Sequence, residues 1–308
     1  MSATQRSAPQ QGAASGLPAC REFTWKSHDG LTLSGCSWLP GNVNAAEENI
    51  PVLCLPGLSR NVRDFKDIAA FLQHRGHCVH ALDYRGRGKS DWDQDWSNYS
   101  IPVEARDIDA AIDMLGLKRF VLLGTSRGGL HALTMAEKYP KSRMAGVIFN
   151  DIGPHIEMPA IHRITESIGR DMELGSDEDA ARNELARRLG PQFPEFGPDD
   201  WDKLVRQLAS HRDGTLVLDY DPAIAHQFAA LAESSSAPEL WNEFQNLTDR
   251  PVLVLRGEHS DLLSPETCRR MLEMHSGADL QMVAGQGHAP VLWDSETQEV
   301  IARFLRKF

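Results

Sequence analysis

The chain has 308 residues, of which 41% are hydrophobic and 24% are charged, and its formal net charge is -11. This length suits one large domain, or a core domain with a second domain inserted in it, and the hydrophobic content supports a sizeable core. The negative charge argues against nucleic acid and against an anionic membrane surface as partners. No apolar run approaches the length of a transmembrane span, so we expect no membrane association.

The N-terminal segment and the cysteines both bear on the compartment. Residues 1–19 are rich in Ser, Ala, Gln and Gly and lack the apolar core of a secretory signal, which predicts a flexible tail. The five cysteines are scattered and odd in number, without any Cys-x-x-Cys pair. We therefore expect reduced thiols in a cytoplasmic protein. We expect no metal site, because the Cys and His residues lack metal-ligand spacing.

Strand signals come first along the chain. Residues 21–27 and 31–38, joined by an Asp-Gly turn, predict an antiparallel hairpin. Residues 51–55 form a short, wholly apolar strand, and residues 77–82 predict another. Residues 63–75, between these two, have one apolar helical face. A short, wholly apolar strand followed by a helix is typical of a parallel sheet that is covered on both faces.

Two glycine-containing loops follow these strands. In the first, Pro56-Gly57-Leu58, a glycine directly after a buried strand lets the backbone approach a ligand closely, although an ordinary strand-to-helix turn is the alternative. The second loop, residues 83–90, has the sequence DYRGRGKS. Its charges suggest phosphate binding, but we favour a bracing role. In that role Asp83 and Arg85 bond to the backbone or to each other.

Residues 119–139, RFVLLGTSRGGLHALTMAEKY, predict a buried strand, a very sharp turn and a helix. The turn fits G-x-S-x-G, in which small residues on either side of the apex avoid collisions with the strand and the helix. Its apex, Ser126, is then held in strained backbone geometry with its hydroxyl above the sheet edge. A structural turn and a phosphate-binding turn are the alternatives, but the Gly-Lys-Ser/Thr and G-x-G-x-x-G patterns of phosphate loops are missing. We interpret the turn as a nucleophile elbow.

The alternation of strand and helix stops after one more strand, at residues 145–149. Residues 155–247 predict helices with little strand signal. We predict that this stretch is an all-helical cap domain, inserted into an α/β core whose two parts are residues 20–154 and 248–308. Insertion after a strand places such a cap over the edge of the sheet.

The second part of the core resumes the alternation. Residues 251–255 and 279–283 predict strands, and a helix follows each of them. Asp261 lies in the loop after the first of these strands, and His288 lies in the loop after the second. We therefore predict an α/β fold with a mostly parallel, eight-stranded sheet flanked by helices.

The loops at the carboxyl ends of parallel strands meet at one edge of a sheet, which brings candidate catalytic residues together. A serine hydroxyl needs a neighbouring base, and imidazole suits that role because it titrates near neutral pH. We assign Ser126 as nucleophile, His288 as base and Asp261 as the acid that orients the base. The chain order nucleophile, acid, base is the one used by sheets that carry a nucleophile elbow. Asp151, which also ends a strand, is the reserve candidate for the acid.

A negatively charged tetrahedral intermediate needs two N–H donors, and the backbone N–H groups of Leu58 and Arg127 are the candidates. Four side chains are candidates for contact with the substrate: Arg60, Asn61, Trp201 and Trp241. For the two tryptophans, packing inside the cap is the alternative. Arg60 and Asn61 follow the proposed oxyanion loop, where they could meet a polar or acidic group.

Together these motifs resemble the α/β-hydrolase fold superfamily, from about residue 21 to the C-terminus. The motifs that carry the resemblance are PGL at 56–58, DYRGRGKS at 83–90, GTSRGG at 124–129, GEHSD at 257–261 and GQGH at 285–288. The chain has Pro56-Gly57 where many members have His-Gly, so its oxyanion loop departs from that common form. Serine at the apex makes it unlike the epoxide hydrolases and haloalkane dehalogenases, which have aspartate there. NDIGP at 150–154 is similar to many uncharacterised bacterial members.

The resemblance implies a serine hydrolase of the carboxylesterase class. We expect a small-molecule acyl substrate, an ester, thioester or lactone, cleaved through an acyl-enzyme by a Ser-His-Asp triad without any cofactor. Two alternatives stay open. The same triad could transfer the acyl group to another acceptor or hydrolyse a carbon–carbon bond, and the chain could also be a low-turnover receptor for a small ligand.

Overall fold

The computed structural model describes residues 20–42, 48–228 and 239–308. The tail predicted for residues 1–19 lies outside these ranges. So do parts of the segment before the first apolar strand and of the predicted cap. The described residues are sufficient to trace the sheet, the helices on its faces and the loops at its edge.

The strands in the described ranges form one large sheet and one small one. In chain order they are β1 (Arg21–Lys26), β2 (Thr32–Trp38), β3 (Val52–Leu55), β4 (Val79–Leu82), β5 (Phe120–Thr125), β6 (Met144–Asn150), β7 (Glu173–Gly175), β8 (Ala209–Arg212), β9 (Thr215–Leu218), β10 (Val252–Gly257) and β11 (Ala278–Val283). The large sheet has eight strands in the order β1-β2-β4-β3-β5-β6-β10-β11. β2 is antiparallel to both β1 and β4, and the other neighbours are parallel. The predicted hairpin and mostly parallel sheet are confirmed.

Helices cover both faces of the large sheet. The helices of the described ranges are α1 (Lys66–His74), α2 (Ile101–Met114), α3 (Arg127–Lys138), α4 (Met158–Ser167), α5 (Glu178–Leu189), α6 (Pro198–Leu208), α7 (Trp241–Gln245), α8 (Pro265–Met274) and α9 (Ser295–Leu305). Of these, α5 and α6 pack together with the small sheet rather than on the large one. Leu53 and Leu55 of β3 belong to one hydrophobic cluster, whereas Val52 and Cys54 belong to another. Alternate residues of this strand are thus buried on opposite faces, which is why β3 is apolar throughout. No helix in the described ranges is both long enough and apolar enough to cross a lipid bilayer.

The inserted segment, residues 155–247, differs from its prediction. It contains helices, but it also contains a three-stranded antiparallel sheet in the order β7-β9-β8, so the expectation of an all-helical insertion is wrong. These strands have three or four residues each, and β8 has the polar sequence ASHR, so they carry little hydrophobic periodicity. The missed signal is Asp213-Gly214, where both residues have positive φ and close the β8–β9 hairpin.

The cysteines also differ from expectation. Cys20, just before β1, and Cys36, on β2, form a disulfide with their Cα atoms 5.8 Å apart. The register of the β1–β2 hairpin, which pairs Glu22 with Cys36, brings the start of β1 next to this position. Cys54, Cys78 and Cys268 are free thiols. The prediction that all five cysteines are reduced is therefore wrong for Cys20 and Cys36.

Candidate active site

The turn between β5 and α3 has the geometry of a nucleophile elbow. Ser126 sits at its apex with φ 50° and ψ -111°, a strained conformation for a residue with a side chain. A Cβ atom at Gly128 would lie 2.1 Å from the carbonyl oxygen of Leu55, and one at Gly124 would lie 2.4 Å from the backbone of Gly128. Only glycine fits at these two positions, because backbone atoms occupy the space. The close packing of β5, α3 and β3 therefore fixes Ser126 above the sheet edge.

A chain of two hydrogen bonds starts at this serine. The Ser126 Oγ atom lies 2.9 Å from His288 Nε2, and His288 Nδ1 lies 2.8 Å from Asp151 Oδ2. A carboxylate can only accept, so Nδ1 carries the ring proton and Nε2 is left with its lone pair toward the serine hydroxyl. This arrangement can remove the serine proton when the hydroxyl attacks a carbonyl carbon.

The register of the sheet positions Asp151 next to the elbow. Thr125 pairs with Asn150, and Asn150 pairs with Leu255 on the other side. Ser126 and Asp151 therefore each follow directly after a paired strand residue, at the same edge. The Asp151 side chain is fully buried, and its backbone has φ 57°.

Two further donors to Asp151 come from the end of β10 and from the loop after it. The backbone N–H of Gly257 donates to Oδ1 at 2.8 Å, and the hydroxyl of Ser260 donates to Oδ2 at 2.6 Å. Together with His288, these donors hold the Asp151 carboxylate in one orientation.

The structure corrects the assignment of Asp261 as the acid. Its two carboxylate oxygens accept from Nε and Nη2 of Arg163 on α4, at 2.6 and 2.7 Å. Burial raises the pKa of Asp261, but the Arg163 guanidinium lowers it more, so the net shift is downward. Asp261 is therefore the partner of an arginine from the inserted segment, and Asp151, the reserve candidate, contacts His288. Within the GEHSD motif, Ser260 rather than Asp261 bonds to Asp151. The sequence pattern did not indicate this role for Ser260.

The loop that carries His288 is also held by the inserted segment. Gln192, just after α5, accepts the backbone N–H of His288 through Oε1 at 2.8 Å. The same oxygen would lie 2.1 Å from a Cβ atom placed on Gly287, so the glycine makes room for this contact. Nothing in the sequence pattern around Gln192 indicates this role, because it depends on how the insertion folds back over the core.

The backbone N–H groups of Leu58 and Arg127, the candidate oxyanion donors, both lie near Ser126. Neither backbone N–H has an acceptor among the described residues. The loop lies against the nucleophile, since a Cβ atom on Gly57 would be 3.8 Å from the Cβ of Ser126. Arg127 is the first residue of α3, where N–H groups have no partner inside the helix. Both free N–H groups thus lie beside the elbow.

The carbonyls of the Pro56–Leu58 loop are all bonded. The Tyr84 hydroxyl donates to the Pro56 carbonyl at 3.1 Å, and the Arg60 N–H donates to the Gly57 carbonyl at 3.2 Å. Nε of Arg87 donates to the Leu58 carbonyl at 2.8 Å. Because the carbonyls are held in this way, the loop has little freedom to rotate its peptide planes. At this loop the bracing comes from Tyr84 and Arg87, which the sequence did not single out. Of the two residues predicted for that role, Asp83 accepts from the backbone N–H groups of Val62 and Lys89, whereas the Arg85 side chain bonds carboxylates instead of the backbone or Asp83.

A cavity of about 500 Å³ opens over these groups. Ser126, His288 and Leu58 form part of its wall. The inserted segment contributes apolar side chains to the wall: Ile164, Ile168, Leu185, Leu189, Leu208 and Leu218. A cavity of this size suits a small-molecule ligand. Its apolar wall is interrupted by the serine and by charged side chains, among them Arg163, Glu166 and Arg187.

The four side chains predicted to contact a substrate lie in different surroundings. Arg60 lines the cavity, where Nε and Nη2 are bonded to Asp64 at 2.7 and 2.9 Å. Asn61 is buried and does not line it, since its side chain accepts from Arg63 N–H and donates to the Gln207 carbonyl. Its role is to join the core to the inserted segment.

The two tryptophans also pack away from the cavity. Trp201 is buried within the inserted segment against Phe193 and Phe196. Trp241 packs on Phe244, and the guanidinium of Arg270 lies 3.9 Å from its ring centroid. The packing alternative is therefore the observed one for both tryptophans, and neither is among the described residues that line the cavity.

One group of possible metal ligands occurs in the described ranges. Ligand atoms of His28, Asp29 and Asp107 lie within 4.8 Å of one another. Arg85 donates to both carboxylates, at 2.9 Å to Asp29 and 2.7 Å to Asp107. The positive charge that a metal ion would supply is thus already provided by the guanidinium.

Comparison with known proteins agrees with this fold. The family model described as alpha/beta hydrolase fold matches residues 50–295. The chain belongs to the alpha/beta hydrolase fold family. The family match spans the elbow, the inserted segment and the His288 loop.

Three proteins illustrate the likeness of this alpha/beta hydrolase to known ones. The chain is 30% identical over 262 residues to the 3-hydroxybutyrate-oligomer hydrolase of Cupriavidus necator, covering 82% of this chain and 87% of that one. It is 27% identical to the 2-(acetamidomethylene)succinate hydrolase of Mesorhizobium japonicum, covering 77% and 81%. The crystal structure of an alpha/beta hydrolase from Novosphingobium aromaticivorans matches with a TM-score of 0.87 and 33% identity, covering 95% of this chain and all of that one.

Proposed function

We propose that this alpha/beta hydrolase is a carboxylesterase that cleaves small esters through an acyl-enzyme, with Ser126 as nucleophile, His288 as general base and acid, and Asp151 as the acid that orients His288. The observation that carries the proposal is the unbroken hydrogen-bonded chain from the Ser126 hydroxyl through the imidazole to the buried Asp151 carboxylate. A serine in strained elbow geometry with such a partner chain is arranged for nucleophilic attack.

The first half of the reaction acylates the serine. The Ser126 Oγ atom attacks the ester carbonyl carbon while its proton passes to Nε2 of His288. The negative charge that develops on the carbonyl oxygen is stabilised by the N–H groups of Leu58 and Arg127. When the tetrahedral intermediate collapses, the carbon–oxygen bond to the alcohol breaks, and the imidazolium returns the proton to the leaving oxygen.

The second half restores the enzyme. His288 takes a proton from a water molecule as that water attacks the acyl carbon. The second tetrahedral intermediate uses the same two N–H donors. Its collapse breaks the bond to Ser126, to which the imidazolium gives the proton, and releases the carboxylic acid. Asp151 keeps the ring in one tautomer and stabilises the imidazolium in both halves.

We propose short esters of hydroxy acids as the substrates to test first. Support comes from the relative that is named a 3-hydroxybutyrate-oligomer hydrolase and is similar to most of this chain. The cavity suits a ligand of this size, and Arg60 in its wall retains Nη1, for which no partner occurs among the described residues, to meet a carboxylate. Thioesters and lactones belong in the same panel, because the same chemistry cleaves them.

The test is steady-state and pre-steady-state hydrolysis of p-nitrophenyl acetate and of the methyl ester and dimer of 3-hydroxybutyrate. We expect turnover by the wild type and less than about a thousandth of it in Ser126→Ala, since residual catalysis then rests on binding and the N–H donors alone. Equal rates in both proteins would contradict the proposal. Added methanol that diverts the product to a methyl ester would favour the acyltransferase alternative.

The remaining alternatives give separate outcomes. A ligand receptor would bind members of the panel in calorimetry with the same affinity in wild type and Ser126→Ala, and would release no acid. A carbon–carbon hydrolase would spare the esters and cleave a 1,3-diketone. The three-residue hydrogen-bonded chain favours turnover over the receptor, because simple binding does not need an activated hydroxyl.

The compartment is a separate proposal. We propose the cytoplasm, with the free thiols of Cys54, Cys78 and Cys268 as support and the Cys20–Cys36 disulfide as the observation against it. Alkylation of the denatured, unreduced protein from freshly lysed cells decides between them. Modification of all the cysteines fits the cytoplasm, whereas protection of Cys20 and Cys36 fits an oxidising compartment.

A further inference from the structure

A buried charge cluster lies beneath the two candidate oxyanion donors. At its centre is Glu104 on α2, which is fully buried. Its Oε1 accepts from Nη1 of Arg87 at 2.8 Å, and its Oε2 accepts from Nε of Arg127 at 2.6 Å. Nε2 of His131 lies 3.0 Å from Oε2 as well. One carboxylate thus ties together an arginine from the loop at 83–90 and an arginine at the start of α3.

Each arginine leads from the cluster to one oxyanion donor. Arg87 uses Nε to hold the Leu58 carbonyl, and the N–H of that same residue is one candidate donor. Arg127 supplies the other donor from its own backbone, while its side chain reaches Glu104 and the Tyr99 carbonyl, the latter at 2.8 Å. A single rigid path of hydrogen bonds therefore joins the Leu58 loop to the start of α3.

The charge states make this path stiff. Burial raises the pKa of Glu104, but the charges of Arg127 and Arg87 and the bond from His131 lower it further, so the group stays ionised. Burial lowers the pKa of His131, which keeps the ring neutral despite the nearby carboxylate. The hydrogen bonds from the two guanidiniums are thus charge-assisted, and these are the strongest and best-oriented kind.

We infer that Arg87 and Glu104 are positioning residues of the oxyanion hole, which set the spacing between the Leu58 N–H and the Arg127 N–H. This inference rests on the proposed hydrolase function. The two donors come from separate segments, one after β3 and one after β5, so their relative position needs a link, and Arg87–Glu104–Arg127 is that link. Preorganised donors act only at the right distance from the developing oxyanion, so a displaced Leu58 loop affects the transition state more than substrate binding.

The chain contains a matched control for this link. Arg85 lies two positions before Arg87, is equally buried, and forms a two-pronged pair with Asp107, which is also on α2. The other contacts of its side chain are Asp29 and Asp93, and none of them belongs to the loop at 56–58 or to the elbow. Both arginines thus stabilise the same part of the core, but only Arg87 reaches the oxyanion loop.

The experiment compares Arg87→Lys with Arg85→Lys. Lysine keeps the positive charge in each case but cannot bond Glu104 and the Leu58 carbonyl at the same time, because it lacks the planar fork. The readouts are kcat and KM for p-nitrophenyl acetate, the inhibition constant of a trifluoromethyl ketone, the pH profile and the melting temperature. A trifluoromethyl ketone forms a tetrahedral adduct with the serine, so its affinity reports on the oxyanion hole.

For Arg87→Lys we expect kcat to fall by about 10- to 100-fold, part of the loss seen when a donor is removed outright. KM should stay within about threefold, and the ketone should bind more weakly by the same factor as kcat falls. The pH midpoint should not move, because the Ser126–His288–Asp151 chain is untouched. For Arg85→Lys we expect a lower melting temperature with kcat and ketone affinity near those of the wild type.

Equal kcat values for the two variants, or a loss confined to KM, would overturn the inference. Wild-type protein that hydrolyses no ester would instead contradict the proposed function. If Arg87→Lys does not fold, Arg127→Met approaches the link from its other end, since it keeps the backbone donor at position 127 but loses the side-chain bond to Glu104. The same separation of kcat from KM is expected there, and a wild-type kcat would overturn the inference.

Discussion

Two aspartates at the same edge of the sheet have opposite surroundings. Asp151 follows β6, is fully buried, and accepts bonds from His288, Gly257 N–H and Ser260. Asp261 follows β10, keeps 30% of its side chain exposed, and is paired with Arg163 of the inserted segment. The first carboxylate has no arginine or lysine partner among the described residues, whereas the second is neutralised by one.

This difference separates an orienting acid from a structural one. A carboxylate that must stabilise an imidazolium needs its charge available to the ring, and neutral donors orient it without cancelling that charge. A carboxylate bonded at both oxygens to a guanidinium has its charge already compensated. Substitutions at Asp151 and Asp261 should therefore have different effects on catalysis.

The largest effect is expected for Asp151→Asn. Asparagine tolerates the positive φ at this position, so the backbone should be kept, but the amide favours the wrong tautomer of His288. We expect kcat to fall by about 10⁴-fold, or about 5 kcal/mol of transition-state stabilisation. Ester kinetics with circular dichroism as the folding control measure this. A loss below tenfold would remove Asp151 from the triad.

A double variant sharpens the comparison. If Asp261 could act as a substitute acid, the residual activity of Asp151→Asn would fall further in Asp151→Asn/Asp261→Asn. We expect the two proteins to have the same residual kcat, because Asp261 is held by Arg163. A further drop of tenfold or more would show that the acid role is shared.

An intermediate effect is expected for Ser260→Ala. The change removes the hydroxyl that donates to Asp151 Oδ2, and so loosens the orientation of the carboxylate toward His288. We expect kcat to fall by about fivefold, because a lost bond to a charged group that still has other donors costs about 1 kcal/mol here. The matched control is Ser264→Ala, which removes the N-terminal cap of α8 and leaves the Asp151 contacts in place. Activity equal to the control would remove Ser260 from the acid's support.

The smallest effect is expected for Arg163→Leu. Asp261 then loses its partner, and its uncompensated charge favours the imidazolium form of His288, toward which it exerts an electrostatic attraction. The acidic limb of the kcat/KM profile, where the base is protonated, should therefore move to higher pH by a few tenths of a unit, with little change in the plateau. The same profile for Arg163→Leu/Asp261→Asn should return to that of the wild type. A shift to lower pH would contradict the assigned surroundings of Asp261.

The sequence predicted the elements whose signals are local. The alternating apolar strands, the G-x-S-x-G turn and the loop histidine each have a pattern within about ten residues, and the structure places Ser126 and His288 in contact. The choice between Asp151 and Asp261 has no local signal, because both follow strands of the same sheet. Arg163, which settles it, lies on α4 and meets Asp261 only through the fold of the insertion. Gln192 was missed for the same reason, and Glu104 was missed because its contacts with Arg87 and Arg127 depend on packing between distant parts of the core.

The short strands of the inserted segment were also not predictable from the sequence pattern. β7, β8 and β9 have three or four residues, too few for an alternation of apolar and polar side chains to stand out. The Asp213-Gly214 turn was present as a signal, but helical patterns on both sides outweighed it. Residue type suggested a binding role for Trp201 and Trp241, and position next to the 56–58 loop suggested one for Asn61. The final surroundings of all three depend on packing that has no local signal in the sequence.

The central claim is that Asp151, through His288, activates Ser126. The most direct measurement is the rate of fluorophosphonate labelling, with peptide mapping by mass spectrometry, on wild type, His288→Ala, Asp151→Asn and Asp261→Asn. We expect an adduct on Ser126 that forms quickly in the wild type and in Asp261→Asn. In His288→Ala and Asp151→Asn the adduct should form at least about a hundredfold more slowly. Slow labelling in Asp261→Asn with fast labelling in Asp151→Asn would contradict it, and so would no adduct on the folded wild-type protein.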